Sequence, residues 1–271
     1  SLDFYYTPAG DYTLIDQTGG GYGTPTQEMV ESYELATGGF PDWTPWHDVT
    51  TQTPPYADLE PRFHASVLYN GAPWKGRKIE PYVGGADGWC QWNLEREPKG
   101  RTTTGYYLRK MVDESHDVIA YSGGVQPLIV LRYAEVLLNK AEACHKTNDP
   151  AGANAAVRAI RDRVGLPYED VTGDDLWKAI RQERKVELAY EGLWYWDLRR
   201  WKVAHKPYPE GLTGYQQHGL KIEKNNDGTF TYTYVSVDDQ DRNFPDKMYR
   251  FPMPTGELNN NGKVEQYSEW K

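Results

Sequence analysis

The chain has 271 residues and a formal charge of −9 at pH 7, with 30 basic and 39 acidic side chains. No Lys/Arg run supplies the basic patch that nucleic-acid binding needs, and no apolar run approaches the ~20 residues that span a bilayer. Ten Trp and 21 Tyr against six Phe is the unusual ratio; Tyr and Trp join an apolar face to a polar tip, which suits wet binding surfaces as well as cores.

Composition divides this length, enough for a substantial core, into a loop-rich part over 1–127, a helical part over 128–204 and a β-hairpin with an extended tail over 205–271. Ser1-Leu2-Asp3-Phe4-Tyr5 has neither the charged nor the apolar region of a signal peptide. One helix is readable in the first part: Thr24 as N-cap, Pro25 at the first helical position and Gln27 as capping-box partner predict a helix to about Ala36, ended by Gly38. The rest of that part reads as long surface loops, which are usually functional when ordered.

Four helices are predicted in the middle. Leu131, Ala134, Leu138 and Ala141 set a helix over about 127–145. Asp149 caps a second with Pro150 at its first position, and Gly165 and Pro167 end it. A third starts after Thr172 and runs to Gly192, and a short fourth spans about 194–203. The third carries Glu183, Glu187 and Glu191 at intervals of four. Carboxylates at that spacing share a helix face and repel unless cations meet them. Arg199 or Arg161 is the expected partner, in a partly buried network that locks neighbouring helices. From Leu220 the period becomes two, with Phe230, Tyr232 and Tyr234 alternating with threonines after Asn225-Asn226-Asp227-Gly228, which predicts a β-hairpin. Pro252 and Pro254 keep the following segment out of a central strand and leave it extended on the surface.

Catalytic and metal readings find little support. Glu183 and Glu187 lie one helical turn apart, whereas a glycosidase needs carboxyls facing each other across the scissile bond. Glu142 and His145 match half of a di-iron motif whose second copy is missing, so His145 reads as a helix C-terminal residue favoured by the macrodipole. Asp238, Asp239 and Asp241 read as a solvated acidic loop rather than a calcium site. Cys90 and Cys144 are too few for a disulfide framework; Cys144 reads as a buried thiol, and a bridge between the two stays open. No cofactor or metal is expected.

Several motifs in order carry a family resemblance. Residues 183–201 fit ERxxELxxEGxxxxDLRRW, with Trp194 where the family usually has Arg. Arg132–Ala143 resembles an RxAEVLLNxAEA helix, Asn154–Leu166 an LNxIRxRAGL helix, and Gly105–Lys110 a GYYxxK strand. Glu60-Pro61-Arg62 is similar to a DPR turn, and Phe251–Pro254 with Glu257, Gln266 and Trp270 to a PIPxxE…QNxGW terminus. Together they resemble the SusD/RagB family of outer-membrane glycan-binding lipoproteins. The resemblance implies a mainly α fold: tetratricopeptide-like helical hairpins, long irregular aromatic-rich loops and a short C-terminal β-hairpin. It implies a non-catalytic, lipid-anchored subunit at the surface of a Gram-negative bacterium, delivering oligosaccharides to a SusC-like TonB-dependent transporter. It also implies that the sequence is the second half of a protein about twice as long. An apolar face of the first hairpin should then lack its partner.

A protein that holds glycans without cutting them needs exposed rings beside polar donors. Tyr22, Trp43, Trp46, Trp74, Trp89 and Trp92 lie outside the helical pattern and are the candidate ligand-binding residues. Trp43 and Trp46 are the foremost pair, in a loop stiffened by Pro41 and Pro45. Trp196 and Trp201 are expected in the core. Two other functions compete with this one. A helical-repeat interaction module would use the aromatic loops for a protein partner, and a glycoside hydrolase would release reducing ends.

Overall fold

The computed structural model describes residues 2–15, 20–91, 101–120, 123–124, 127 and 129–271. Its order begins with α1 (Leu2–Tyr6), α2 (Gln27–Val30), β1 (Val49–Thr50), α3 (Pro61–Ser66), β2 (Val67–Leu68), β3 (Pro73–Trp74), β4 (Arg77–Lys78) and β5 (Tyr107–Leu108). The longer elements follow: α4 (Tyr133–Lys146), α5 (Pro150–Arg163), α6 (Gly173–Glu187), α7 (Trp194–Arg200), β6 (His218–Lys224), β7 (Phe230–Ser236) and α8 (Thr255–Asn260). Tertiary contacts group these into two units, which cut across the compositional thirds: 1–191 with 217–239, and 192–216 with 240–271.

In the first unit, β6 and β7 form the expected antiparallel hairpin around the 225–229 turn, and β1 extends it in the order β1-β7-β6. Alternation turns Tyr232 and Ile222 inward, where they meet Val30, Tyr33, Tyr56, Phe63 and Tyr106. Full burial of an apolar side chain such as Phe63 contributes roughly 1.5–3 kcal/mol. The predicted strand over Gly105–Lys110 appears as β5, paired with β2.

The helix predicted over 24–36 is only a single turn long. Gln27 does not close a capping box: its side chain turns inward, accepts from Tyr106 Oη at 2.6 Å and donates to Glu31. Leu35 leaves the helix to bridge Leu59. α4 begins at Tyr133, later than predicted, because Arg132 is extended (φ −140°) and Leu131 is exposed. α5 starts as predicted, with Asp149 Oδ1 accepting from Gly152 N at 2.9 Å. α6 ends at Glu187 rather than Gly192, because Tyr190 takes a positive φ of 66°. α4, α5 and α6 pack through Ala141, Ala153, Ala156, Val157, Leu176 and Ile180; small side chains at the contact let the axes approach.

The second unit has its own core of Leu198, Ala204 and Phe244, with Trp194, Trp201 and Leu212 packed against it. The segment 251–254 carries no regular structure and leaves Phe251, Pro252 and Pro254 exposed, as its prolines predict. Both cysteines are free thiols, and Cys144 is half-buried against the helical core.

Candidate functional site

The carboxylates of the 183–191 segment meet cations from four surrounding elements. Glu183 accepts from Arg62 and, at 3.1 Å, from Arg161. Glu187 pairs with Arg62, Arg132 and Arg163 at 2.7–3.2 Å. Glu191, carried by the turn after α6, pairs with Arg132 at 2.6 Å and Lys110 at 2.7 Å. Glu60 and Glu34 complete the network on Arg62 and Arg161, giving five carboxylates against five cations.

Of the two expected partners, Arg161 is present and Arg199 is not. Arg199 instead donates to the carbonyls of Met248 and Tyr249 in the second unit. Arg62 and Arg132 were not foreseen. Arg62 arrives through the Glu60-Pro61-Arg62 turn at the start of α3, and Arg132 from the residue that caps α4.

The electrostatics are those of a lock. Burial alone would raise the Glu187 and Glu191 carboxyls, yet Arg132 hydrogen bonds and nearby positive charges hold both below the usual range. Burial raises Glu60, against the pull of Arg62. Burial also lowers Lys110, which Glu191 partly restores. Carboxylates so fully matched offer neither a free general acid nor a free nucleophile.

The six candidate rings separate sharply. Trp43 and Trp46, 6 % and 8 % exposed, belong to the main core and meet edge to face at 5.6 Å. Trp46 Nε1 donates to Gln52 O at 3.0 Å. Trp74 is fully buried, its Nε1 held by Asp11, and Asp11 with Asp87 clamps Arg77. Trp89 is buried beside Thr102. None of these four can lay a ring face on a sugar, so the expectation of ligand-facing indoles is corrected: their loops fold back and spend the rings on the core. Trp92 lies outside the described residues.

Tyr22 is the one of the six that the described residues expose, at 70 %. Its ring meets Tyr5, 47 % exposed, edge to face at 5.2 Å. Backbone bonds fix the pair, with Tyr22 N donating to Tyr5 O and Gly20 N to Phe4 O. Gly20 sits at φ +74°, where a Cβ would fall 1.9 Å from Thr7 O, so only glycine allows this approach. In the second unit Trp196, expected in the core, is 50 % exposed and meets Phe251, 57 % exposed, with the Arg199 guanidinium 4.3 Å from the Phe251 ring centre. Trp201 is half-buried.

His145 stacks on Trp177 at 5.4 Å, Asp241 accepts from Gln216, and no cluster of three or more metal-ligating side chains occurs among the described residues. A second polar cluster joins Glu28 to His218 and Glu31 to His47, with Tyr234 stacked on the His218 imidazole and tilted against that of His47. Lys185, near both glutamates, is pushed down to about 8 by burial.

Residues 3–270 match the SusD family. The chain belongs to that family. A SusD-like protein of Bacteroides fragilis is 28 % identical and superposes with a TM-score of 0.78 over 99 % of this chain and 51 % of its own. A second B. fragilis structure, described as a SusD-like carbohydrate-binding protein, is 26 % identical with a TM-score of 0.70, over 97 % of this chain and 51 % of its own. SusD-like protein P38 of Formosa agariphila is 39 % identical over 87 residues, 28 % of this chain and 17 % of that protein. This chain therefore spans about half the length of the solved SusD-like proteins it matches. Its fold is the SusD-like arrangement of helical hairpins and small antiparallel sheets.

Proposed function

We propose that the chain is part of a non-catalytic glycan-binding protein, held by a lipid anchor at the outer-membrane surface of a Gram-negative bacterium. In this reading it gathers oligosaccharides for a SusC-like TonB-dependent transporter. The observation that carries the reading is membership of the SusD family together with likeness to a carbohydrate-binding member across nearly the whole chain. The saturated carboxylate network supports binding without hydrolysis. No described helix is long and apolar enough to cross a membrane.

Tyr22 is the surface ring retained from the sequence candidates, Tyr5 beside it is added by the structure, and Trp92 stays a candidate with them. Stacking one flat ring on a sugar face is worth ~1–3 kcal/mol by analogy with base–aromatic stacking. Affinity gel electrophoresis on neutral polysaccharides tests the function: retardation of this chain without release of reducing ends is expected. Tyr22→Ala with Tyr5→Ala should weaken retardation at unchanged melting temperature. Release of reducing ends would sink the non-catalytic reading.

A second reading has one observation in its favour. Ile129, Val130, Leu131, Tyr133 and Val136 are all exposed at the start of α4, and exposed apolar side chains close together in sequence suit a protein partner.

A further inference from the structure

A cavity of about 540 Å³ opens between α5, α6, the 167–171 segment and the turn at 35–40. That lies within the roughly 300–1,000 Å³ of small-molecule sites. Val157 and Ala179 provide an apolar floor.

Its outer wall is fixed by side chains that bond to the backbone of the 167–171 segment. Arg161 Nε and Nη2 donate to Pro167 O at 3.1 and 2.9 Å, and Arg158 Nη1 donates to Tyr168 O. Asn154 Nδ2 donates to Val171 O, while its Oδ1 accepts from Tyr168 Oη at 2.7 Å and from Val171 N. The wall is thereby pre-organised, which reduces the ordering cost of binding.

The opposite lip is the turn whose glycine the sequence suggested as a helix stop. Gly38 N donates to Leu35 O and Leu35 N to Gly39 O. Gly38 lies at φ +89° with its Cβ position 2.8 Å from Pro167 Cγ, so only glycine lets the turn sit against the wall. This places Phe40 at the mouth, 55 % exposed. In the aromatic stretch over 39–46, the outward ring is therefore Phe40 and the inward ones are the two tryptophans.

The rim carries Glu169, Asp175, Lys178 and Gln182. Glu169 makes no ion pair among the described residues, and Asp175 meets only the highly exposed Lys178, a surface pair of little strength that a ligand can replace. Glu34 and Arg161 are matched to each other. Three carboxylates (Glu34, Glu169, Asp175) against two cations (Arg161, Lys178) leave a net charge of −1 around the opening.

We infer that this cavity is a subsite for a neutral sugar residue, whose C–H face lies on Phe40 and whose hydroxyls bond to Glu169, Asp175 and the Oε1 of Gln182, whose Nε2 is held by Ser32 O at 2.6 Å. The inference rests on the glycan-binding reading above and adds a place and a selectivity to it. Uronic acids and sulfated sugars bring a like charge to an unpaired carboxylate and are rejected.

The test is amide chemical-shift mapping of the chain titrated with maltotriose, cellotriose, mannotriose and xylotriose, with trigalacturonate as the anionic probe. At least one neutral trisaccharide is expected to shift the amides of Val157, Ala179 and Gln182. Phe40→Ala should weaken that titration roughly tenfold, Glu169→Gln should weaken it as well, and trigalacturonate should leave the cavity unmoved. Shifts confined to Tyr5 and Tyr22, or cavity shifts that Phe40→Ala and Glu169→Gln both leave at full affinity, overturn the subsite while the glycan-binding reading stands. Cavity shifts with trigalacturonate overturn the selectivity. Silence with every probe overturns both the subsite and the reading beneath it.

Discussion

The carboxylate ladder at 183–191 and the aromatic loop at 39–47 stood out equally in the sequence, one as a lock and the other as a binding surface. The ladder is a lock, with every carboxylate met by a cation. The loop is largely core: Trp43 and Trp46 point inward, and Phe40 between Gly39 and Pro41 points out. The difference lies in periodicity. A helix repeat dictates which side chains share a face, so like charges along it demand partners whichever chain segments supply them. A proline-rich loop has no repeat, and the direction of each ring depends on what the loop lies against.

The contrast can be broken most strongly at Glu187. Its carboxylate meets Arg62, Arg132 and Arg163, and removing one partner of a buried pair costs ~3–5 kcal/mol. Glu187→Ala should lower stability by that order in urea denaturation, with any glycan affinity of the folded fraction intact. Lost binding at an unchanged melting temperature would falsify the lock.

Trp43→Ala and Trp46→Ala should each cost ~3–5 kcal/mol, as large-to-small changes in a packed core do. Calorimetry that found both variants as stable as the parent would return the two rings to the surface.

The acid limb of stability sharpens the electrostatic half of the comparison. The Glu187 and Glu191 carboxyls titrate below the usual range. Their contribution is complete above the ordinary value of about 4.3 and is lost as pH falls through their lowered values. Glu60, raised by burial, acts in the opposite sense and reduces stability as pH rises through the ordinary range. Melting temperature should therefore fall from about pH 5 downward, and Glu191→Gln should flatten that fall. An acid limb as steep in Glu191→Gln as in the parent counts against this assignment.

The smallest effect separates the two tryptophans. Trp46 Nε1 donates to Gln52 O, whereas Trp43 Nε1 is buried with no hydrogen-bond partner among the described residues. Trp46→Phe should cost ~0.5–1.5 kcal/mol more than Trp43→Phe, the net worth of one hydrogen bond. Equal losses in paired urea titrations would remove that distinction.

Local signals determined what local chemistry can determine. Asp149-Pro150 places the start of α5, because a capping carboxylate and a fixed proline φ act within one turn. Alternation from Leu220 places the β6–β7 hairpin, because a period of two has one buried face. The ordered motifs place the chain in its family. Tertiary structure decided the rest. Gln27 abandons its cap for Tyr106, 79 residues away in sequence, and Arg132 reaches Glu187 across 55. Trp196 lies half-exposed although the sequence led to its expectation in the core. Whether Phe40 or Trp46 faces water follows from the approach of Gly38 to Pro167, a contact between segments that share no local pattern. Distant partners compete for the same polar tips and ring faces, and that competition is settled only when the whole core closes.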